Sequence, residues 1–146
     1  MNTLTYENLH ETKKHVSIQF PYNTYLCSIP LDFTQVPLHW HNDVEIIVIK
    51  KGYGIISVDT EPRVVKAGDI VLVRPGQLHS ISQHEKDCME YENILFQTSL
   101  LYSADSDSRT IGYFQPYFSL EYELPWLFDD TCFFHEALSS CIDAID

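Results

Sequence analysis

The chain has 146 residues and a mass of 17.0 kDa, which fits one domain with a short appendage. Apolar residues make up 45% and charged residues 21%, ordinary values that exclude disordered, collagen-like and coiled-coil classes. With 9 Lys+Arg against 21 Asp+Glu, the net charge is −12; charge of that sign repels phosphate backbones, so the chain by itself is not expected to bind DNA or RNA.

Residues 1–14, MNTLTYENLHETKK, are polar and read as an N-terminal arm with no apolar core of a signal peptide. The apolar run Ile46–Ile49 is far too short to span a bilayer, and no membrane partner is expected. Cys27, Cys88, Cys132 and Cys141 form no C-x-x-C pair. They read as free thiols and small core residues, which points to a cytoplasmic location.

Residues 15–101 read as strands. Short runs of Val, Ile, Tyr and Phe (His15–Phe20, Thr24–Ile29, Val36–His41, Val44–Lys50, Tyr53–Val58, Arg63–Lys66, Ile70–Val73, His79–Ser82, Glu90–Phe96) alternate with turn residues such as Lys51-Gly52 and Arg74-Pro75-Gly76-Gln77. Many short strands without helical crossovers indicate an all-β sandwich or barrel. Lys50-Lys51 reads as a solvated hairpin end.

Residues 102–130 read as a connector: a patternless polar stretch, Ser103–Ser108, then an aromatic, Pro-punctuated segment. Residues 131–146 read as a helix, with Asp129, Asp130 and Thr131 as its capping residues. Phe134, Leu138, Cys141, Ile142 and Ile145 form an apolar stripe at helical spacing. That stripe is expected to serve as a dimer seam or to pack on the chain's own barrel.

The chemistry is concentrated in His39-Trp40-His41-Asn42-Asp43-Val44-Glu45. In extended backbone, odd-numbered residues share a face, so His39, His41 and Glu45 are expected on one side. His79 follows the Arg74–Gln77 turn in another strand. Three imidazoles and a carboxylate suit a divalent transition metal such as zinc, nickel, manganese or iron. The alternative is a polar pocket without metal. Arg74 is a candidate for holding a carboxylate or sugar hydroxyl. Trp40 and Trp126 read first as packing residues and second as sugar-stacking platforms.

H-x-H-x3-E followed by Gly52, then Gly68 and Gly76-x-x-His79, resembles the two cupin motifs. The second departs from the pattern: Arg74 stands where a proline is usual, and Gln83 replaces the final Asn. The stretch from His39 to Ile81, with the aromatic segment and helix that follow, is similar to the N-terminal sensor domain of AraC-family transcription regulators. The resemblance implies an all-β cupin fold (double-stranded β-helix, or jelly-roll barrel) with a C-terminal α-helical extension. It also implies a small-molecule effector in the barrel, plausibly a sugar or related metabolite, with His39, His41, Glu45, Arg74 and His79 as pocket residues. It further implies a homodimer. DNA would be bound only through a C-terminal domain missing from this chain, which has no Lys or Arg after Arg109. On this reading the protein is not an enzyme. The competing reading is a metal-dependent cupin enzyme, a dioxygenase or isomerase.

Overall fold

The β-branched and aromatic runs become eight strands in the computed structural model, which describes residues 2–101 and 110–145. In chain order the elements are α1 (Thr3–Asn8), β1 (Tyr22–Ile29), β2 (Gln35–His39), β3 (Val44–Val58), β4 (Glu61–Lys66), β5 (Ile70–Val73), β6 (His79–Gln83), β7 (Met89–Phe96), α2 (Gln115–Phe118), β8 (Leu127–Phe128) and α3 (His135–Asp143).

β3 organises the barrel. Its first half pairs with β7 and β5, and its second half with β4 and β6. One sheet therefore runs β1-β7-β3-β5-β8, while β2, β6 and β4 join around the far half of β3. The sequence suggested two strands separated at Lys51-Gly52; the structure has one continuous strand. Gly52, at φ +74°, lets it bend between sheets beside a register shift at Ile49–Lys51. Lys50 and Lys51 are thus mid-strand residues rather than a hairpin end. They pair with Glu92 and Glu90 at 3.0 and 3.1 Å on neighbouring β7.

The barrel interior is filled by Ile29, Ile47, Ile49, Ile56, Val58, Val65, Val71, Val73, Ile81, Met89 and Tyr91, with Trp126 and Leu127 packed against them. Each such side chain contributes about 1.5–3 kcal/mol by leaving water. On the opposite face of β3, β5 and β7, Ile46, Val48, Ile70, Ile94 and Phe96 pack against Leu138 and Ile142 of α3. The period-2 alternation of the strands thus builds two apolar layers, one inside the barrel and one under the helix.

Other departures have local causes. His15–Phe20 forms no strand: Ser17 closes a turn on Phe20, with Ser17 N donating to Phe20 O and Phe20 N to Ser17 Oγ. The arm carries α1, capped by the Asn2 side chain on Thr5 N. The connector holds β8, which extends the sheet beside β5. The Ser103–Ser108 reading lies outside the described residues. Asp129 caps a turn at Thr131 N, at 2.9 Å, and α3 begins only at His135, without a side-chain cap.

A Cβ at Gly52 would lie 1.8 Å from the Cys88 carbonyl oxygen, whereas one at Gly68 (φ +95°) would meet nothing within 4 Å. Gly52→Ala should therefore cost upwards of about 2 kcal/mol, and Gly68→Ala about 1 kcal/mol. Chemical denaturation of both variants checks this; equal losses would contradict the account of the bend.

Candidate functional site

Four separate pieces of backbone deliver the site. His39 closes β2, His41 follows Trp40, Glu45 is the second residue of β3, and His79 opens β6. A single extended strand does not hold the first three, because a bend at Asn42–Asp43 separates β2 from β3. Convergence comes from the barrel instead: His39 sits opposite His79 across β2 and β6. One donor atom from each of the four lies within 4.8 Å of the others.

The tautomers follow from the backbone. His39 Nδ1 is 2.8 Å from Pro37 O, His41 Nδ1 3.1 Å from Asp43 O, and His79 Nδ1 2.9 Å from Gln77 O. A carbonyl can only accept, so each Nδ1 carries the proton and each neutral ring keeps its lone pair on Nε2. The Nε2 atoms of His41 and His79 meet Glu45, and at His41, where both ring nitrogens face oxygen acceptors, the bond to Glu45 takes a second proton on the ring. Glu45 Oε2 lies 3.0 Å from His41 Nε2 and 2.9 Å from His79 Nε2. At His79 no hydrogen bond accompanies the short distance, and Nε2 is buried without a hydrogen-bond partner.

Glu45 is 3% exposed and His79 0%. Burial alone would push the Glu45 carboxyl up. Charge on His79 and the hydrogen bond and charge of His41 outweigh it and hold the carboxyl far below the usual range. Burial pulls His41 down, but its hydrogen bond and ion pair with Glu45 prevail, and its pKa is raised. His39 is lowered, first by burial and then by the charge of His79.

The N-terminal arm reaches this group, which sequence reasoning missed. Glu11 Oε2 lies 2.9 Å from His15 Nε2 and 3.7 Å from His39 Nε2. The His15 ring meets the Tyr25 ring edge-on at 5.5 Å. The only signal in the sequence was the Glu11/His15 spacing, which a polar arm without strand periodicity gave no means to place. The arm is fixed over Trp40: Tyr6 and His10 stack on it at 4.7 and 4.2 Å, and Trp40 Nε1 donates to Tyr6 O at 2.7 Å. Tyr6 and His10 thus take up ring surface of Trp40 that a sugar would use for stacking. An open cleft of about 790 Å³ lies alongside, lined by His10, Glu11, Lys13, Lys14, His41 and Asn42 among others.

Arg74 does not join the cluster. It is buried, and its Nη1 donates to the carbonyls of Tyr117 and Tyr122 at 3.1 and 3.0 Å. The guanidinium ties the aromatic segment to the barrel, beside a second cleft of about 1050 Å³. The helix stripe is also divided. Ile142 is buried and Leu138 packs on the barrel layer. Phe134, Cys141 and Ile145 are exposed, as is Phe133 at 97%.

The bent β3, the two sheets and the converging histidines and glutamate define a cupin barrel. The chain belongs to the AraC-like ligand binding domain family, whose profile matches residues 31–132. It is 28% identical over 123 residues to the uncharacterised HTH-type transcriptional regulator YdeC of Bacillus subtilis (strain 168). That match covers 84% of this chain but 41% of YdeC, so the chain spans less than half of that relative's length. A crystal structure of a cupin protein from Bacteroides fragilis aligns with a TM-score of 0.51 and 23% identity, over 60% of this chain and 75% of that one. The cupin domain of Cnp3 from Schizosaccharomyces pombe aligns at 0.49 and 14% identity, over 56% and 59% of the two chains. The likeness to the Bacteroides protein concerns the fold.

In ion-free protein, the His41 imidazole should titrate above the ordinary value of about 6.5 and that of His39 below it. The sign follows: folded His41 binds its proton more tightly than unfolded His41. Its pairing with Glu45 therefore stabilises the fold below pH ~6.5, and that contribution is lost as pH rises through His41's raised value. NMR titration of the ring resonances checks the order; His39 titrating above His41 would contradict it.

Proposed function

We propose that this chain is the effector-sensing and dimerisation domain of an AraC-type transcription regulator, with its pocket at the arm-covered mouth of the barrel. The family match across residues 31–132 carries this reading. DNA would be read by a separate helix-turn-helix region, as the name of the relative YdeC suggests, and not by this acidic chain. The domain limits proposed are an arm at 1–14, a barrel at 15–101, a connector at 102–130 and a helical extension from 131. Among the described residues no helix is long and apolar enough to cross a membrane, in keeping with the proposed cytoplasmic location.

The donor set fits a divalent transition ion. Two of its lone-pair nitrogens stand 3.0 and 2.9 Å from one carboxylate oxygen, close to the ~3 Å between adjacent ligands that bonds of 2.0–2.2 Å produce. The buried, unpartnered Nε2 of His79 carries a lone pair that a cation would take up. His39, His41, Glu45 and His79 would hold the ion. When bound, it would supply a Lewis-acidic position for an oxygen of the effector. The chain's own residues fix the rest: backbone carbonyls orient the rings, and the Trp40 stack holds the arm over the site. A small oxygen-bearing metabolite suits this pocket. A sugar remains within that class, held by hydrogen bonds and not by stacking on Trp40. The same donors would serve a metal-dependent dioxygenase or isomerase, but the family match favours a sensor, and no catalytic role is proposed.

Dimerisation is assigned to the outward face of the helical extension. Phe133, Ala137 and Cys141 lie exposed there, flanked by Phe134 and Ile145, while Leu138 and Ile142 are committed to the barrel. The chain, joined after Asp146 to a helix-turn-helix DNA-binding domain, should bind its operator with dimer-dependent affinity. Phe133→Asp should abolish that dependence and give a monomer by light scattering, with the melting temperature unchanged. Leu138→Asp should instead cost on the order of 2 kcal/mol of stability by burying a carboxylate. A monomeric parent, or a Phe133→Asp variant that still dimerises, would rule out this seam.

A further inference from the structure

We infer that Glu11, carried by the N-terminal arm, is a further ligand of the divalent ion proposed for the His39–His41–Glu45–His79 group. The inference rests on that ion-site reading and adds a residue from outside the barrel. Glu11 Oε2 stands 3.7 Å from His39 Nε2, the nitrogen whose lone pair is freed by the Nδ1 bond to Pro37 O. A carboxylate oxygen cannot hydrogen-bond to that lone pair. The arm holds the two close enough to share one cation, with the Glu11 carboxylate on the His39 side of the group and outside the 4.8 Å that the other four donors share.

The carboxylate is positioned rather than adrift. His15 Nε2 is 2.9 Å from the same oxygen, and His15 Nδ1 lies 3.3 Å from the Tyr25 hydroxyl. Asn23 Nδ2 donates to the His15 carbonyl and to that hydroxyl, both at 3.0 Å. Main-chain bonds to Trp40, from Trp40 N to Leu9 O at 3.1 Å and from Glu11 N to Trp40 O at 2.9 Å, fix the backbone of Glu11 next to His39 and His41. Charge argues the same way. With Glu11 the site holds two carboxylates and three neutral imidazoles, so a divalent ion is neutralised where Glu45 alone leaves one positive charge. His15 then orients Glu11 from behind, as outer residues orient ligands in metal sites.

The test is titration of Co2+ into chelator-stripped parent and Glu11→Gln, read by calorimetry and by the visible absorption of the bound ion. Glu11→Gln is expected to bind Co2+ about tenfold more weakly and to shift the visible bands, because the donor set changes. Should that variant fail to fold, Glu11→Asp serves: a ligand carboxylate withdrawn by one methylene must also weaken binding and shift the bands. Unchanged affinity and bands in the variant, with Co2+ binding in the parent, overturn the role of Glu11 and leave the four-residue site standing. Weaker binding with unchanged bands also overturns it, because Glu11 then acts only through its neighbours. A parent that binds no Co2+ overturns the ion site and Glu11 together.

Discussion

A buried carboxylate needs positive charge, and the placing of that charge governs this molecule. Glu45 is sealed inside the barrel wall, and the nearest groups are imidazole nitrogens whose tautomers the backbone has already chosen. With Nδ1 protonated on all three rings, Nε2 offers lone pairs, and lone pairs do not stabilise an anion. Either a proton on a ring, as the raised pKa of His41 indicates, or a cation among the rings resolves the conflict. Both remedies place one positive charge or more at the same point, and the polar mouth of the barrel is arranged around it.

The fold supplies this arrangement by setting it at the edge of an apolar core. Ile, Val, Met89 and Tyr91 fill the interior, and the polar group stands at the border of that core, with Val73 opposite Glu45 and Val58 opposite His79. The strands fix His39, Glu45 and His79 through paired registers, so the donors are held by rigid elements rather than by loops. The arm closes the mouth, and the helix covers the outside of the same sheet. β3 runs through both regions: Glu45 faces the site while Ile46 and Val48 face the layer that α3 covers. The site and the layer under α3 are thus built on opposite faces of one strand.

Much of this was legible in the sequence. Strand periodicity and turn residues gave the barrel, and the spacing from His39 to Gly52, with Gly76-x-x-His79, marked the four residues that the fold brings together. Helical spacing marked the stripe from Phe134 to Ile145. The rest depended on interactions that spacing does not carry. Lys51-Gly52 reads equally as a turn or as a bend, and only the separate pairing partners of the two halves of β3 decide between them. Leu138 and Cys141 lie on one predicted stripe, yet the barrel surface accommodates the first and not the second. Arg74 follows a strand pointing at the site, but the free carbonyls of Tyr117 and Tyr122 draw its guanidinium away. Glu11 sits 28 residues or more before its site partners, in a segment whose sequence shows no pattern to place it.

The most direct measurement is anomalous diffraction from crystals of untagged protein loaded with zinc, nickel, manganese or iron in turn. The account predicts one strong peak per chain. It should lie within about 2.0–2.2 Å of Nε2 of His39, His41 and His79 and of a Glu45 oxygen, with every Nδ1 still donating to its backbone carbonyl. No peak with any of the four metals, or a peak bonded through Nδ1, would contradict the claim that the backbone sets these rings to hold an ion.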